Sequence, residues 1–196
     1  MKVRPGVKAH GRGSKMRCMD DTSAPASALA PGTATELAVR LIRNFNEVPL
    51  QAFIRAPLYE SLGARLASGT AAQKLGASID TLAPGKQSCP YHFHHVQEEM
   101  FVVLEGAGTL RVAGELLPLR AGDVVFIPPG PAYPHHILNT SNAPLKYLGI
   151  STRESPEISE YPDSGKFAAT VNEGGEQRFD VLQRKGQNLD YWDGEA

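Results

Sequence analysis

The sequence predicts an all-β domain in the middle of the chain, built as a sandwich or barrel. Short runs rich in apolar and β-branched residues recur at even spacing from Ala77 onward. Gly and Pro turns such as Pro84-Gly85 and Ala113-Gly114-Glu115 separate these runs, which is typical of sandwiches and barrels. A chain of 196 residues with no internal repeat fits one domain plus extensions. Among such folds, the jelly-roll β-barrel also provides an internal pocket.

The predicted barrel occupies residues 77–152, where the alternation of strand-like runs and turns is continuous. Strands are expected at 78–82, 91–95, 99–104, 109–112, 116–119, 124–127, 135–138 and 145–150.

Residues 1–35 are expected to form a disordered basic tail and a linker. Six basic residues precede the first acidic residue, Asp20, which leaves 14 basic against 21 acidic residues in the remainder. A basic tail on an acidic body is able to contact nucleic acid or anionic lipid. The tail has no aromatic residue and no helical periodicity, however, and residues 20–35 are rich in Pro, Ala, Ser and Thr, so the composition favours disorder.

Two further segments are expected to pack on the barrel. Residues 36–76 form an N-terminal extension in which Leu37 and Leu41 indicate a short helix over 36–43 capped by Thr35, with a strand as the alternative. Residues 59–66 are ambiguous. Residues 153–196 form an irregular, acidic C-terminal extension.

Within the C-terminal extension, the acidic residues Glu154, Glu157, Glu160 and Asp163 are expected to form a mostly solvated face. Leu189, Tyr191 and Trp192 bring large apolar area to its end. We therefore expect this end to dock, either on its own barrel or across a homodimer interface.

Two histidines and a glutamate lie close together in the first part of the predicted barrel. On a strand, the side chains of His92 and His94 point to one face and that of His95 points to the other. A tight reversal then brings Glu99 against the two imidazoles, and His135 is a third available imidazole. Neutral nitrogens and an anionic oxygen on one face suit a divalent transition metal.

These residues carry a family resemblance. The first stretch resembles the first cupin motif, G-x5-H-x-H-x3-4-E-x6-G, with one extra residue before the first histidine; the matching residues are Gly85, His92, His94, Glu99 and Gly106. The second resembles the second motif, G-x5-P-x-G-x2-H-x3-N, with two extra residues before the histidine; the matching residues are Gly122, Pro128, Gly130, His135 and Asn139.

The resemblance implies a single-barrel cupin, a double-stranded β-helix, with His92, His94, Glu99 and His135 as metal ligands. Such a shell suits Fe(II), Mn(II), Ni(II), Co(II) or Zn(II) and leaves one or two open positions on a six-coordinate ion. The candidate substrate contacts are Tyr133, Asn139 and Phe101.

Neighbouring residues with similar chemistry are interpreted as structural. His95 and His136 fall on the opposite strand face from the ligands, and Glu98 has the wrong spacing to Gly106. Cys89 is interpreted as a small buried or loop cysteine, and with Cys18 in the tail no disulfide is expected.

The leading functional hypothesis is a divalent-metal enzyme acting on a small organic molecule. The resemblance implies dioxygenase, isomerase or decarboxylase chemistry without ranking them, and a non-catalytic module that binds or senses a small ligand is the alternative. Nucleotide-loop and serine-hydrolase motifs are absent from the sequence. The chain lacks a membrane-length apolar run and a signal-peptide pattern, so we expect a cytoplasmic protein without nucleic-acid or membrane partners.

Overall fold

The structure is a computed structural model that describes residues 32–173, 176–186 and 188–195. Nearly all of the expected basic tail and linker, together with Cys18, lies outside the described residues.

The described residues form one α-helix, one short 3-10 helix and a series of antiparallel strands. The helix α1 spans Ala34–Leu41, and the 3-10 helix spans Pro162–Ser164. The first strands are β1 Gln51–Arg55, β2 Tyr59–Arg65, β3 Leu75–Leu82, β4 Phe93–His94, β5 Glu99–Glu105, β6 Ala107–Val112 and β7 Glu115–Arg120. The later strands are β8 Val124–Ile127, β9 His135–Leu138, β10 Leu145–Thr152, β11 Glu157–Tyr161, β12 Lys166–Glu173 and β13 Glu176–Arg184.

The strands assemble into three sheets. A six-stranded sheet has the order β1-β2-β3-β10-β5-β8, and a three-stranded sheet has the order β7-β6-β9. A four-stranded sheet, β13-β12-β11-β4, joins the C-terminal strands to the short strand that carries His94. The jelly-roll architecture predicted from the sequence is confirmed, although the sheets do not close into a continuous barrel.

The hydrophobic core lies between the six-stranded and three-stranded sheets. Because side chains alternate along a strand, each of these sheets sends every second residue inward. The buried cluster consists of Leu82, Val103, Ile127, Leu145 and Tyr147 from the larger sheet, and Leu110, Leu119 and Ile137 from the smaller. Each such side chain contributes about 1.5–3 kcal/mol on burial, so this cluster holds the two sheets together.

The predicted barrel strands are confirmed, with one exception. Of the strand expected over 91–95, only Phe93–His94 forms, and His92 instead makes an isolated antiparallel bridge with His135. The segment changes partners at this point, because His92 pairs with His135 whereas Phe93 and His94 pair with β11.

The helix start predicted from the sequence is wrong by two residues. Thr33, not Thr35, is the N-cap, and it forms a capping box with Glu36. The Glu36 N–H donates to Thr33 Oγ1 at 3.3 Å, while the Thr33 N–H donates to Glu36 Oε2 at 2.7 Å. The spacing of three residues back from a glutamate selects Thr33 over the nearer threonine.

The expectation of an irregular C-terminal extension is also wrong. Its residues form β11, β12 and β13, with β12 and β13 paired as a long hairpin. At its end, Leu189, Tyr191 and Trp192 are 79%, 84% and 69% exposed, so they do not dock on their own barrel. Docking across a homodimer interface stays a prediction.

No helix in the described part of the chain has the length and apolar character needed to cross a membrane.

Two glycines of the first motif provide a matched test of the barrel backbone. Both have positive φ, 73° at Gly85 and 83° at Gly106, where a side chain costs about 1–2 kcal/mol. A Cβ on Gly85 would meet nothing within 4 Å, whereas a Cβ on Gly106 would collide with the carbonyl oxygen of Pro144. We expect Gly106→Ala to lower the free energy of unfolding, measured in urea, by clearly more than Gly85→Ala. Equal losses of unfolding free energy in the two variants would show that the close approach of Gly106 to Pro144 does not matter for stability.

Candidate metal centre

Three parts of the fold deliver the four predicted ligands to one place. Glu99 opens β5 in the six-stranded sheet, and His135 opens β9 in the three-stranded sheet. His92 is held against β9 by two backbone hydrogen bonds: its N–H donates to the His135 carbonyl at 3.2 Å, and the His135 N–H donates to the His92 carbonyl at 2.7 Å. His94 follows in β4. The site therefore lies where both barrel sheets and the His92–His94 segment meet.

The Nε2 atoms of the three imidazoles converge on the Glu99 carboxylate. Glu99 Oε2 lies 2.8 Å from His135 Nε2 and 3.6 Å from His94 Nε2. His92 Nε2 lies 3.2 Å from His94 Nε2. Ligand atoms of His92, Glu99 and His135 all lie within 4.8 Å of one another, a separation that a single ion is able to span. The structure thus brings together all four residues predicted as ligands.

The opposite ring nitrogens of His92 and His135 face backbone carbonyl oxygens. His92 Nδ1 lies 2.9 Å from the Pro90 oxygen, and His135 Nδ1 lies 3.1 Å from the Tyr133 oxygen. A carbonyl oxygen only accepts, so these contacts favour a proton on Nδ1 and leave the Nε2 lone pair directed at the site. Convergent lone pairs around a carboxylate repel one another unless a proton or a cation lies among them. The donor set therefore fits a bound cation.

Glu99 carries a negative charge at neutral pH. Burial alone would raise the pKa of its carboxyl group, but a hydrogen bond from His135 and the charges of His94, His92 and His135, when these rings are protonated, lower the pKa to about 2. The site therefore supplies one fixed anion beside three imidazoles.

Two of the three predicted substrate contacts, Phe101 and Tyr133, lie near this cluster. The Phe101 ring lies 5.9 Å from the His135 ring, two residues along β5 from Glu99. Tyr133 lines the cavity described below.

Asn139, the third predicted substrate contact, forms hydrogen bonds with other groups of the protein. Its side chain is buried, and its amide nitrogen donates to the carbonyl oxygens of Leu82 and Ala143. Its amide oxygen accepts from the backbone N–H and the hydroxyl of Ser141. The amide is therefore fully used in fixing the loop after β9.

A cavity of about 420 Å³ lies along the gap between the edge strands β7 and β8. Its lining includes Val112, the cross-strand partner of His135, and Ile127, the cross-strand partner of Glu99. Directly opposed residues in antiparallel strands point to the same face, so this end of the cavity adjoins the ligands. Most of the lining is aliphatic, and Tyr133 lies at the rim with 44% exposure.

The two remaining histidines of the motifs lie away from the cluster. His95 faces Glu160, with Nε2 to Oε1 at 3.0 Å. His136 is buried against Tyr91, and its Nδ1 lies 3.1 Å from the Cys89 carbonyl oxygen. Burial lowers the pKa of His136, which favours the neutral ring.

Cys89 lies next to the site, but its side chain is unsuited to bind a metal ion. Its Sγ lies 3.6 Å from His92 Nδ1, on the side of the ring turned away from Glu99. Burial raises the pKa of the thiol to about 12, so it stays protonated at neutral pH.

One buried acid at the site, Glu157, was not predicted from the sequence. Glu157 was expected in a solvated face, but it is 5% exposed and its Oε1 lies 3.3 Å from His94 Nδ1. The alternation of residues in the run Glu157-Ile-Ser-Glu-Tyr161 could have indicated a strand with one buried face. That face carries Glu157 and Ser159, however, and polar residues do not suggest burial.

Residues 78–151 match the family model described as a cupin domain, and the jelly-roll sheets agree with a cupin domain over this part of the chain. The chain is similar to auxin-binding protein 1 of Arabidopsis thaliana, 30% identical over 133 residues, which cover 63% of this chain and 64% of that protein. It is also similar to an oxalate-binding protein of Thermotoga maritima, 36% identical over 69 residues, which cover 35% of this chain and 54% of that protein. The chain spans less than two thirds of the length of the curated relatives it matches.

Among solved structures, the chain resembles a protein of Acidithiobacillus ferrooxidans provisionally described as a sugar phosphate isomerase. The two are 25% identical with a TM-score of 0.66, over 77% of this chain and 96% of that one.

Replacement of one ligand should remove bound metal without unfolding the barrel. We expect His94→Ala to weaken zinc binding by more than about 100-fold, since even the loss of an outer hydrogen-bond partner costs 10–100-fold. The core between the sheets does not depend on the ion, so the β-sheet signal in circular dichroism should persist. His95→Ala is the matched control, because the neighbouring ring faces Glu160 instead. Equal metal content in both variants, measured by elemental analysis, would contradict the ligand assignment.

Proposed function

We propose that this cupin binds a divalent transition metal through His92, His94, Glu99 and His135 and acts as a metalloenzyme on a small organic anion. The observation that supports this most strongly is the convergence of three Nε2 atoms on one partly buried, ionised carboxylate. Three nitrogens and one oxygen suit Fe(II), Mn(II), Ni(II), Co(II) or Zn(II).

The charge at the site favours an anionic ligand. A divalent ion held by neutral imidazoles and the single Glu99 carboxylate keeps one net positive charge. When bound, such an ion supplies a Lewis acid that polarises an oxygen of the substrate. The four side chains fix its position and leave coordination positions for a carboxylate or similar oxygen donor.

The cavity beside the ligands favours a substrate with an apolar body. Val112, Leu119, Val125 and Ile127 contribute aliphatic walls to a volume of about 420 Å³. Such walls would pack against the organic part of the substrate and orient it. A small alkyl or aryl carboxylate combines an anionic head for the charged end with an apolar body for these walls.

One structural relative and the geometry of the site point to different reaction types. The structural relative described as a sugar phosphate isomerase supports an enzyme. An isomerase needs a general base, however, and Glu157 is occupied by His94 and by the backbone N–H groups of His95, Val96 and Gln97. We therefore favour dioxygenation or decarboxylation, for which a metal held by His92, His94, Glu99 and His135 would supply the activation.

A non-catalytic ligand-binding function is the second candidate. It is supported by the auxin-binding and oxalate-binding relatives, whose names describe binding alone. In that case the ion forms part of the recognition surface and the carboxylate is bound without turnover.

One experiment tests metal binding, ligand class and turnover together. The full chain, stripped with a chelator, is reloaded separately with each of the five ions, and titrated calorimetrically with benzoate, hexanoate, oxalate and glucose 6-phosphate. We expect metal-dependent binding that favours benzoate and hexanoate, absent in His94→Ala, and we expect product or O2 consumption with one ion. Binding without turnover would select the non-catalytic candidate, and carboxylate binding that is unchanged by metal removal would contradict the proposal.

A further inference from the structure

One face of β11 forms the back wall of the metal centre. Glu157, Ser159 and Tyr161 alternate along this strand, so their side chains share a face. In the pairing of β11 with β4, Ser159 lies directly opposite His94. The same face therefore meets the segment that carries His92 and His94, from the side away from Glu99.

The contacts of this face are with ligand histidines. Glu157 Oε1 and Ser159 Oγ lie 3.3 Å and 3.1 Å from His94 Nδ1. The Tyr161 ring stacks on the His92 ring, with centroids 6.0 Å apart and planes inclined by 25°.

Glu157 is held in place more firmly than a surface acid would be. Its carboxylate accepts from the backbone N–H of His95 at 3.0 Å, of Gln97 at 3.0 Å and of Val96 at 3.3 Å. These bonds fix the loop between His94 and Glu99, so one carboxylate sets both the orientation of His94 and the path of the chain to Glu99.

We infer that Glu157 is a positioning residue that keeps the proton of His94 on Nδ1 and thereby directs the Nε2 lone pair at the metal. This inference rests on the proposed function. Glu157 lies beyond the residues 78–151 that match the cupin domain, so the C-terminal extension would be a working part of the metal centre and not an appendage.

The same strand offers a matched control. Glu160 contacts His95 Nε2 at 3.0 Å, as Glu157 contacts His94, but His95 faces away from the metal cluster. Glu157→Gln and Glu160→Gln thus make the same chemical change, the first beside His94 and the second beside His95.

The test measures zinc affinity by competition with a chromophoric chelator, using the full-length wild type and both variants. We expect Glu157→Gln to weaken zinc binding by about 10–100-fold, as for outer partners of metal-bound histidines, and Glu160→Gln to change it by less than twofold. The absorption bands of the cobalt(II)-loaded protein should shift in Glu157→Gln alone, since they report ligand orientation and not overall stability. Equal affinity and equal spectra for wild type and Glu157→Gln would overturn the inference.

Two further measurements separate the remaining outcomes. Nitrogen-15 NMR of zinc-loaded wild type should show a proton on His94 Nδ1, and metal bound through Nδ1 would overturn the inference even if Glu157→Gln failed to fold. Ser159→Ala removes the hydroxyl partner of His94 and should weaken zinc binding less than Glu157→Gln does. The reverse order would assign the positioning role to Ser159 instead.

A wild type that binds no zinc, cobalt or other divalent ion would overturn the proposed function itself. A wild type that binds metal, with the same affinity and spectra as Glu157→Gln, would overturn this inference alone.

Discussion

A carboxylate that is largely removed from water needs a partner, and the pairing of Glu99 joins the parts of this protein that surround its site. Removing an ionised carboxylate from water costs several kcal/mol unless opposite charge or hydrogen bonds compensate. Glu99 belongs to the larger barrel sheet, and its nearest partner, His135, belongs to the smaller one. The contact therefore bridges the two sheets at the end of the core where the cavity begins, and His94 and His92 lie beside it.

Much of the barrel and the set of candidate ligands could be predicted from the sequence, because both depend on local patterns. Runs such as Val124–Ile127, followed by Pro128 and Gly130, specify a strand and its end without reference to distant residues. The spacing of His92, His94 and Glu99 likewise specifies which side chains share a face after a single reversal. The structure brings these residues together, and their role in metal binding rests on that geometry and on the proposed function.

What could not be predicted depends on contacts between distant segments. Glu157 looks like a solvated acid because its partners, His94 and the following loop, are about 60 residues earlier in the chain. Asn139 shares a strand face with His135 in the motif, but its amide is occupied by Leu82 and the loop after β9. The strands β12 and β13 contain many polar residues, and they form because they pair with each other and with β11, which sequence periodicity alone does not reveal.

The most direct measurement of whether these four side chains form a metal centre is anomalous diffraction from crystals of the full-length protein loaded with cobalt(II). Data collected on both sides of the cobalt absorption edge locate the ion independently of any assumption about its ligands. We expect one strong difference peak bounded by the three Nε2 atoms and the Glu99 carboxylate. A peak at any other group of side chains, or none at full cobalt loading, would contradict the assignment of this site.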